Sequence, residues 1–428
     1  MSAVLDEVTP TLPARWYWTT LGEIAEVIGG GTPRTNDPTN FDGGNVPWIT
    51  PADLSGYAEK YISHGTRFIT RKGLESSSAR LLPAGTVLFT SRAPIGYVAI
   101  ARNPVATNQG FKSFVLKDGV LPEYVYWWLK GSKQRAEALA SGTTFLELSG
   151  ANAKKLPIPM APIDEQRRIV AEIEKQFSRL DEAVANLNRV KANLKRYKTA
   201  VLDAAVNGRL GIEDAASGAG LPAGWQWSSV GELATVGTGA TPARSNEAFW
   251  GGTIPWITSS AVNEPFVAAA DQSVTAEALR QTNLTLYPPG TLLVAMYGEG
   301  KTRGKCSELR IAATTNQALA ALQVDPAVRP WLKLFLEHNY DNTRRIASGG
   351  VQPNLNLGLV RSIGLPLPPV NEQHRIVAEV DRRFSIAREI GTEIDASLAR
   401  AQALRSATLT RAFFQPPECH DSRGSDET

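Results

Sequence analysis

Between Pro162 and Gly208 the chain runs without a single proline or glycine, and nothing else in it limits the possible folds so sharply. The stretch APIDEQRRIVAEIEKQFSRLDEAVANLNRVKANLKRYKTAVLDAAVNG, from Ala161 to Gly208, reads as one long helix. Pro162 closes the preceding segment, Asp164 offers an N-cap oxygen, and Gly208 is a natural C-terminal stop. Apolar or small residues recur at Ile169, Ile173, Phe177, Leu180, Val184, Leu187, Leu194, Val201 and Ala205, with gaps at Lys191 and Lys198. Steps of three and four make a narrow coiled-coil-like seam, and about 44 residues at 1.5 Å each span roughly 66 Å. One stripe cannot hold so long a helix folded alone, so a partner is required.

The same sequence supplies that partner. From Pro369, PVNEQHRIVAEVDRRFSIAREIGTEIDASLARAQALRSATLTRAFFQ repeats the first helix about 207 positions later, EQRRIVAEIEKQFS being answered by EQHRIVAEVDRRFS. Ile173 lines up with Val380, Phe177 with Phe384, Leu187 with Ile394 and Val201 with Thr408, while Leu398 answers the gap at Lys191. The two helices are expected to pair through this seam.

Self-similarity extends through the whole chain. RWYWTTLGEIAEVIGGGTPRTN matches GWQWSSVGELATVGTGATPARSN, so Trp16 and Trp18 answer Trp225 and Trp227, and Thr32-Pro33 answers Thr241-Pro242. VPWIT (Val46 to Thr50) answers IPWIT (Ile254 to Thr258), and LPAGTVLF answers YPPGTLLV. Thr107-Asn108-Gln109 answers Thr315-Asn316-Gln317, and Ser141-Gly142 answers Ser348-Gly349. The resulting order is a globular unit over 1–160, a helix over 161–208, a second unit over 209–368 and a second helix over 369–415. The acidic tail over 416–428 is expected to be disordered.

Each unit has the size of an ordinary domain and mixed α+β (α/β) character. TVLFT, TLLVAM, YVAI and FKSFVL read as strands, and PEYVYWWLKGSKQRAEALA and PWLKLFLEHNYDNTRRIAS as helices. Trp48, Trp127, Trp128, Trp256 and Trp331 stand in apolar contexts that favour the core over base stacking. A net charge of only +3 does not by itself announce a nucleic-acid binder; the positive excess lies in residues 1–163 and the first long helix. Cys306 and Cys419 cannot build a disulfide framework, and with four histidines no metal site is expected. No apolar run reaches membrane length and MSAVLDEVTP lacks secretory-signal character, so no membrane association and a cytoplasmic address are expected.

One motif imitates a phosphate loop. Gly300-Lys301-Thr302 follows a plausible strand, but a true phosphate loop opens a helix, whereas TRGKCSELRIAATTNQ continues as another strand. A basic turn of Lys301, Arg303 and Lys305 aimed at DNA, or a solvated hairpin tip, are the two readings left. No amino-methyltransferase motif, HExxH, nucleophile elbow or nuclease-like carboxylate cluster occurs. Glu165 and Glu372, in the same Glu-Gln-x-x-Ile frame, read as first-turn acids favoured by the helix dipole.

Taken together, the tandem of diverged units, each followed by a helix opening LPIPMAPIDEQRRIV or LPLPPVNEQHRIV, resembles the specificity subunit of type I restriction-modification enzymes. GGGTPRT, VPWIT, LFTSRAPIGYVAI, TNQGFKSF and SGTTF are similar to phrases of that family's target-recognition domains, and the likeness covers essentially the entire chain. The second unit departs from it, with GTGATPARS and SGGVQPNLN. The resemblance implies a non-catalytic adaptor on double-stranded DNA, its two domains separated by antiparallel coiled-coil helices with pseudo-twofold symmetry and each reading half of a split site. It also implies two methyltransferase subunits, which bind S-adenosylmethionine, and restriction and translocation subunits that use ATP and Mg. No cofactor is expected on this chain.

Base reading calls for polar side chains on loops. The candidates are Arg34, Thr35, Asn36, Arg92, Thr143 and Thr144 in the first unit, with Arg244, Ser245, Lys301, Arg303, Lys305 and Gln352 in the second. The subunit-interface seam is assigned to Ile173, Phe177, Leu180, Val184, Leu187, Leu194, Val380, Phe384, Ile394 and Leu398. Thr-Asn-Gln, present in both units although specificity should differ, reads as a structural turn. Lys191, Lys195, Arg196 and Lys198 form either a solvated face or an electrostatic contact with a partner. The rival reading of the whole is a coiled-coil scaffold for protein assembly that binds no DNA; a nuclease or methyltransferase is disfavoured.

Overall fold

The structure, a computed structural model, describes residues 11–142, 146–210, 220–298, 301–346 and 354–414. Thr143, Thr144, Gln352, Cys419 and the acidic tail lie outside the described residues. The chain divides into two compact units: residues 1–187 with 396–428, and residues 188–395. Each long helix is thus shared, its first half counted with one unit and its second half with the other.

In the first unit the strands are β1 (Tyr17–Thr20), β2 (Ala25–Gly29), β3 (Val46–Ile49), β4 (Tyr61–Ile62), β5 (Arg67–Ile69), β6 (Val87–Ser91), β7 (Ile95–Ala101), β8 (Ala106–Thr107), β9 (Phe111–Leu116) and β10 (Pro157–Met160). They form a five-stranded sheet, β2-β9-β6-β7-β4, a three-stranded sheet, β5-β3-β8, and a ribbon, β1-β10. All five residues of β6 are buried, as a central strand covered on both faces requires. One face carries Val87, Phe89 and Phe114 into a core with the helix Pro122–Lys130. The other carries Leu88 and Phe111 against Ile49 and Leu82.

The second unit contains β11 (Gln226–Ser229), β12 (Ala234–Thr238), β13 (Trp250–Ile257), β14 (Phe266–Val267), β15 (Gln272–Val274), β16 (Leu292–Ala295), β17 (Cys306–Leu309), β18 (Thr314–Thr315), β19 (Leu319–Val324) and β20 (Gly364–Leu367). Its sheets run β12-β19-β16-β17-β14, β15-β13-β18 and β11-β20. Adding ten to each strand of the first unit reproduces this order throughout. The sequence repeat is therefore a repeat of topology.

The long helices span Ile163–Val206 and Val370–Phe414. Asp164 falls inside the first turn of its helix instead of capping it, because the chain is already helical at Ile163 and the Gln166 amide reaches the Pro162 carbonyl at 2.9 Å. Gly208 does end that helix: at φ +68° it lets its own amide reach Ala205 O (3.2 Å) and the Arg209 amide reach Ala204 O (2.7 Å), a Schellman closure. Within each unit the helices run antiparallel. Arg405 pairs with Asp181 and lies 5.0 Å from the Phe177 ring in the first; Lys191 meets Asp395 at 2.5 Å and Lys198 lies over Phe384 in the second. The gap at Lys191 is thus an ion pair.

Of the seam residues, Ile173, Phe177, Val380 and Ile394 are buried, whereas Leu180, Val184, Leu187, Leu194, Phe384 and Leu398 are only partly covered. Ile173 and Phe177 belong to the core of the first unit and Val380 to that of the second. The helix ends do the same in reverse: Ala412 and Phe413 enter the first core, Val201, Ala205 and Val206 the second. Each presumed single helix within the globular units is in fact two. The first breaks after Lys130, where the Ser132 hydroxyl takes the Trp128 carbonyl at 2.8 Å. The second breaks at Asn339, between Arg329–His338 and Tyr340–Ile346.

Candidate nucleic-acid interface

Strand β2 ends at Gly29, and the next two residues pass so close to the Thr107-Asn108 backbone that only glycine fits at position 30. A Cβ there would stand 2.0 Å from the Asn108 carbonyl oxygen. The Gly31 amide bonds Thr107 O (2.9 Å), the Trp48 indole donates to Gly31 O (3.0 Å), and the Thr32 hydroxyl bonds Gln109 Oε1. Asn108 folds its own turn, its side chain accepting the Gly110 amide at 2.9 Å. Beyond this latch the chain swings outward. Asn40 and the Asp37 amide hold the Arg34 carbonyl, and Asp37 caps the short helix Pro38–Asn40. Hydrogen bonds from Thr39 and the charge of Lys72 hold the Asp37 carboxyl below the usual carboxylate range. Arg34, Thr35 and Asn36 are left exposed at the tip.

The second unit rebuilds the latch. A Cβ on Gly239 would lie 1.7 Å from the Thr315 carbonyl oxygen, the Trp256 indole donates to Ala240 O (3.0 Å), and Thr241 bonds Gln317 (2.6 Å). Asn316 accepts the Ala318 amide at 3.1 Å. Thr-Asn-Gln is thus the structural turn expected of it. Arg244 and Ser245 are exposed at the tip; Arg244 also donates to Gln272 (2.7 Å).

The remaining described candidates, Arg92, Lys301, Arg303 and Lys305, lie between the sixth and seventh strands of each unit. Arg92 follows β6 and approaches Glu147 at 3.4 Å; Lys112, not singled out from sequence, reaches the same carboxylate at 3.6 Å. In the second unit β16 and β17 pair antiparallel, so Lys301 and Thr302 lie in a turn between two strands and open no helix. Its turn leans on the helix Tyr340–Ile346: the Tyr340 hydroxyl donates to Lys301 O (2.7 Å) and Arg344 to Arg303 O (3.3 Å). Lys305 donates to Asn263 (2.8 Å). Lys301 is exposed and Arg303 and Lys305 half-buried.

Glu165 and Glu372 do more than meet a helix dipole. Glu165 accepts the Trp16 indole N–H at 2.5 Å and Glu372 that of Trp225 at 3.1 Å, tying the start of each unit to the start of its following helix. The repeated Trp and Glu, 149 and 147 positions apart, were the signal that could have paired them. Among the described residues no helix is long and apolar enough to cross a membrane, and no group of three or more His, Cys, Asp or Glu could hold a metal ion.

Two α+β units of one topology, each presenting polar loops beside its latch and each counting half of both long helices, define a tandem-repeat protein. The family model for the type I restriction modification DNA specificity domain matches residues 13–196 and 222–398, and the chain belongs to that family of specificity subunits. It is 33% identical over 324 residues to the type I restriction enzyme MjaIX specificity subunit of Methanocaldococcus jannaschii, covering 73% of each protein. The HsdS subunit from Thermoanaerobacter tengcongensis shares the fold, with TM-score 0.65 and 20% identity over 96% of this chain and 100% of that one. A chain solved in work on complex assembly and conformational transition of the type I R-M system superposes with TM-score 0.75, also at 20% identity and with the same coverage.

Proposed function

We propose that this chain is the non-catalytic, DNA-reading subunit of a type I restriction-modification complex, in which residues 1–160 choose one half of a bipartite site and residues 209–368 the other. One observation carries the reading: the same latch holds the same loop in both units, but the exposed residues it presents differ, Arg34-Thr35-Asn36 against Ala243-Arg244-Ser245. A repeated scaffold with a diverged rim suits two half-sites of different sequence, since base edges are told apart by the donors and acceptors facing them. The helices over 161–208 and 369–415 set the spacing and dock two methyltransferase subunits. S-adenosylmethionine, and the ATP and Mg of the restriction subunits, belong to those cytoplasmic partners.

Exchange of residues 1–160 for the corresponding unit of a related subunit tests the division of labour. Mapping of methylated adenines in a host carrying the hybrid is expected to show one altered half-site and one unchanged. Alteration of both halves, or of neither, would refute the two-reader arrangement.

A further inference from the structure

Both units hold an arginine guanidinium against a pair of aromatic rings beside the latch, yet the arginine arrives by different routes. In the first unit it is Arg67, opposite Trp48 in the β3-β5 register, with its guanidinium carbon 4.6 Å from the Phe41 ring centre and 5.1 Å from that of Trp48. In the second unit the position opposite Trp256 is Gln272, and the guanidinium comes instead from Arg244 on the loop, 4.1 Å from Trp250 and 5.2 Å from Trp256. The first unit has Thr35 where the second has Arg244. The second ring keeps its place while changing type: Phe41 and Trp250 each close the short helix that follows the loop tip, and each meets its tryptophan edge-on. The ring type and the route of the arginine have changed while the arrangement has stayed.

Such a rearrangement separates the group that matters from the residue that carries it. Attraction of a guanidinium to aromatic rings uses its charge and leaves N–H donors to be shared with a further partner. Among the described residues Arg67 makes no hydrogen bond or ion pair, and both arginines are exposed. The rings are fixed by the latch itself, through Trp48 to Gly31 O and Trp256 to Ala240 O, so the cation is held in register with the loop that carries Arg34 or Ser245. Whatever it touches is common to two units whose neighbouring loop residues differ. On a duplex the feature common to all sequences is the phosphate backbone.

We propose that Arg67 and Arg244 are equivalent phosphate clamps, each ring-stacked guanidinium gripping the DNA backbone at the edge of its half-site while the adjacent loop reads bases. This rests on the DNA-reading function above and reassigns Arg244 from base reader to positioning residue.

The test transplants one route onto the other in the full chain assembled with its methyltransferase subunits. The probes are a duplex bearing the methylated site mapped from the host and a scrambled duplex of equal length. Arg67→Gln is expected to weaken binding of both duplexes by about tenfold, the worth of one charge-assisted hydrogen bond, and to make the log–log salt dependence shallower by about 0.9. Adding Thr35→Arg to Arg67→Gln copies the second unit and is expected to restore the affinity for the scrambled duplex and the salt slope, both of which report phosphate contacts alone. Thermal midpoints of both variants separate clamp from prop. If Arg67→Gln leaves affinity and salt slope at wild-type values, or weakens only the specific duplex, the clamp is wrong although the DNA-reading function stands. A wild-type complex that binds neither duplex would overturn the DNA-reading function itself.

Discussion

Phe413, near the last turn of the second long helix, is expected to stabilise the unit at the other end of the sequence. It is 2% exposed, packs edge-on against Tyr124 and Trp128 at 5.1 Å each, and belongs to the core that contains Phe89 and Phe114. Burying a phenylalanine side chain removes about 150–250 Å² from water, about 4–6 kcal/mol at ~25 cal/mol per Å². Alanine keeps the Cβ and the walls relax in part, so Phe413→Ala should cost about 3–5 kcal/mol. A loss of about 4 kcal/mol raises the open population of that unit nearly a thousandfold. Amide exchange followed by mass spectrometry reads this directly. Protection is expected to fall in β6, β9 and the helix Pro122–Lys130, which share that core, and to persist in β16, β19 and the helix Arg329–His338. The mirror change is Val206→Ala: Val206 is 4% exposed in the second core, and losing two buried methyl groups should cost about 2 kcal/mol there. If Phe413→Ala loosened β16 and β19 while β6 and β9 kept their protection, the assignment of the helix end to the first unit would be refuted.

Two further outcomes follow from the same structure. Gln166→Ala should destabilise by about 3 kcal/mol and Gln373→Ala by about 1 kcal/mol in chemical denaturation. Gln166 accepts the Leu121 amide and donates to Ala161 O and Gly119 O, whereas Gln373 donates to Pro368 O and its buried Oε1 has no hydrogen-bond partner among the described residues. Equal losses would show that the two glutamines hold their helices alike. Arg92→Ala and Arg303→Ala should each lower discrimination by about 1–3 kcal/mol at particular base pairs if they read edges, measured by competition among singly substituted duplexes. Unchanged discrimination in both would remove the hairpins from the base-reading surface.

How much of this was legible in advance depends on where a residue finds its partner. The latch could be read because its parts recur together: glycine where the backbone comes close, tryptophan to cap a carbonyl, Thr-Asn-Gln to turn the chain. Gly30 and Gly239 repeat because any Cβ would strike a carbonyl, and that holds whatever the protein binds. The destination of the helix ends could not be read. Seam spacing says which face of a helix is apolar and reaches Ala412, but nothing in a period of three and four says that Ala412 and its neighbour Phe413 enter a domain core around Tyr124 instead of meeting another helix. Asp164 lies inside its helix for a related reason, since helix onset is decided by which carbonyl the Gln166 amide reaches. Arg67 is not legible in the sequence, because an exposed arginine on a three-residue strand looks like solubility until the register puts Trp48 opposite it.

Divergence between the units is informative only when read with these partners. Glu308 occupies the place of Ile100, pairing with Leu292 as Ile100 pairs with Val87, and a buried carboxylate for an isoleucine is as large a change as any on the loops. Arg310, Arg329 and Lys333 surround it at 3.5 to 3.7 Å, so the charge is answered within the unit and asks for nothing outside. Arg34 is the opposite case: exposed, on a loop fixed at both ends by the latch and by Asn40, with no partner for its guanidinium among the described residues. The fold spends a glycine, a tryptophan and an asparagine to hold that loop still, and gains no contact from the side chain it displays. The reading role proposed for Arg34 would use such a display, a side chain without an intramolecular partner on a backbone anchored from both sides, because anchoring confers specificity only towards something that arrives from outside.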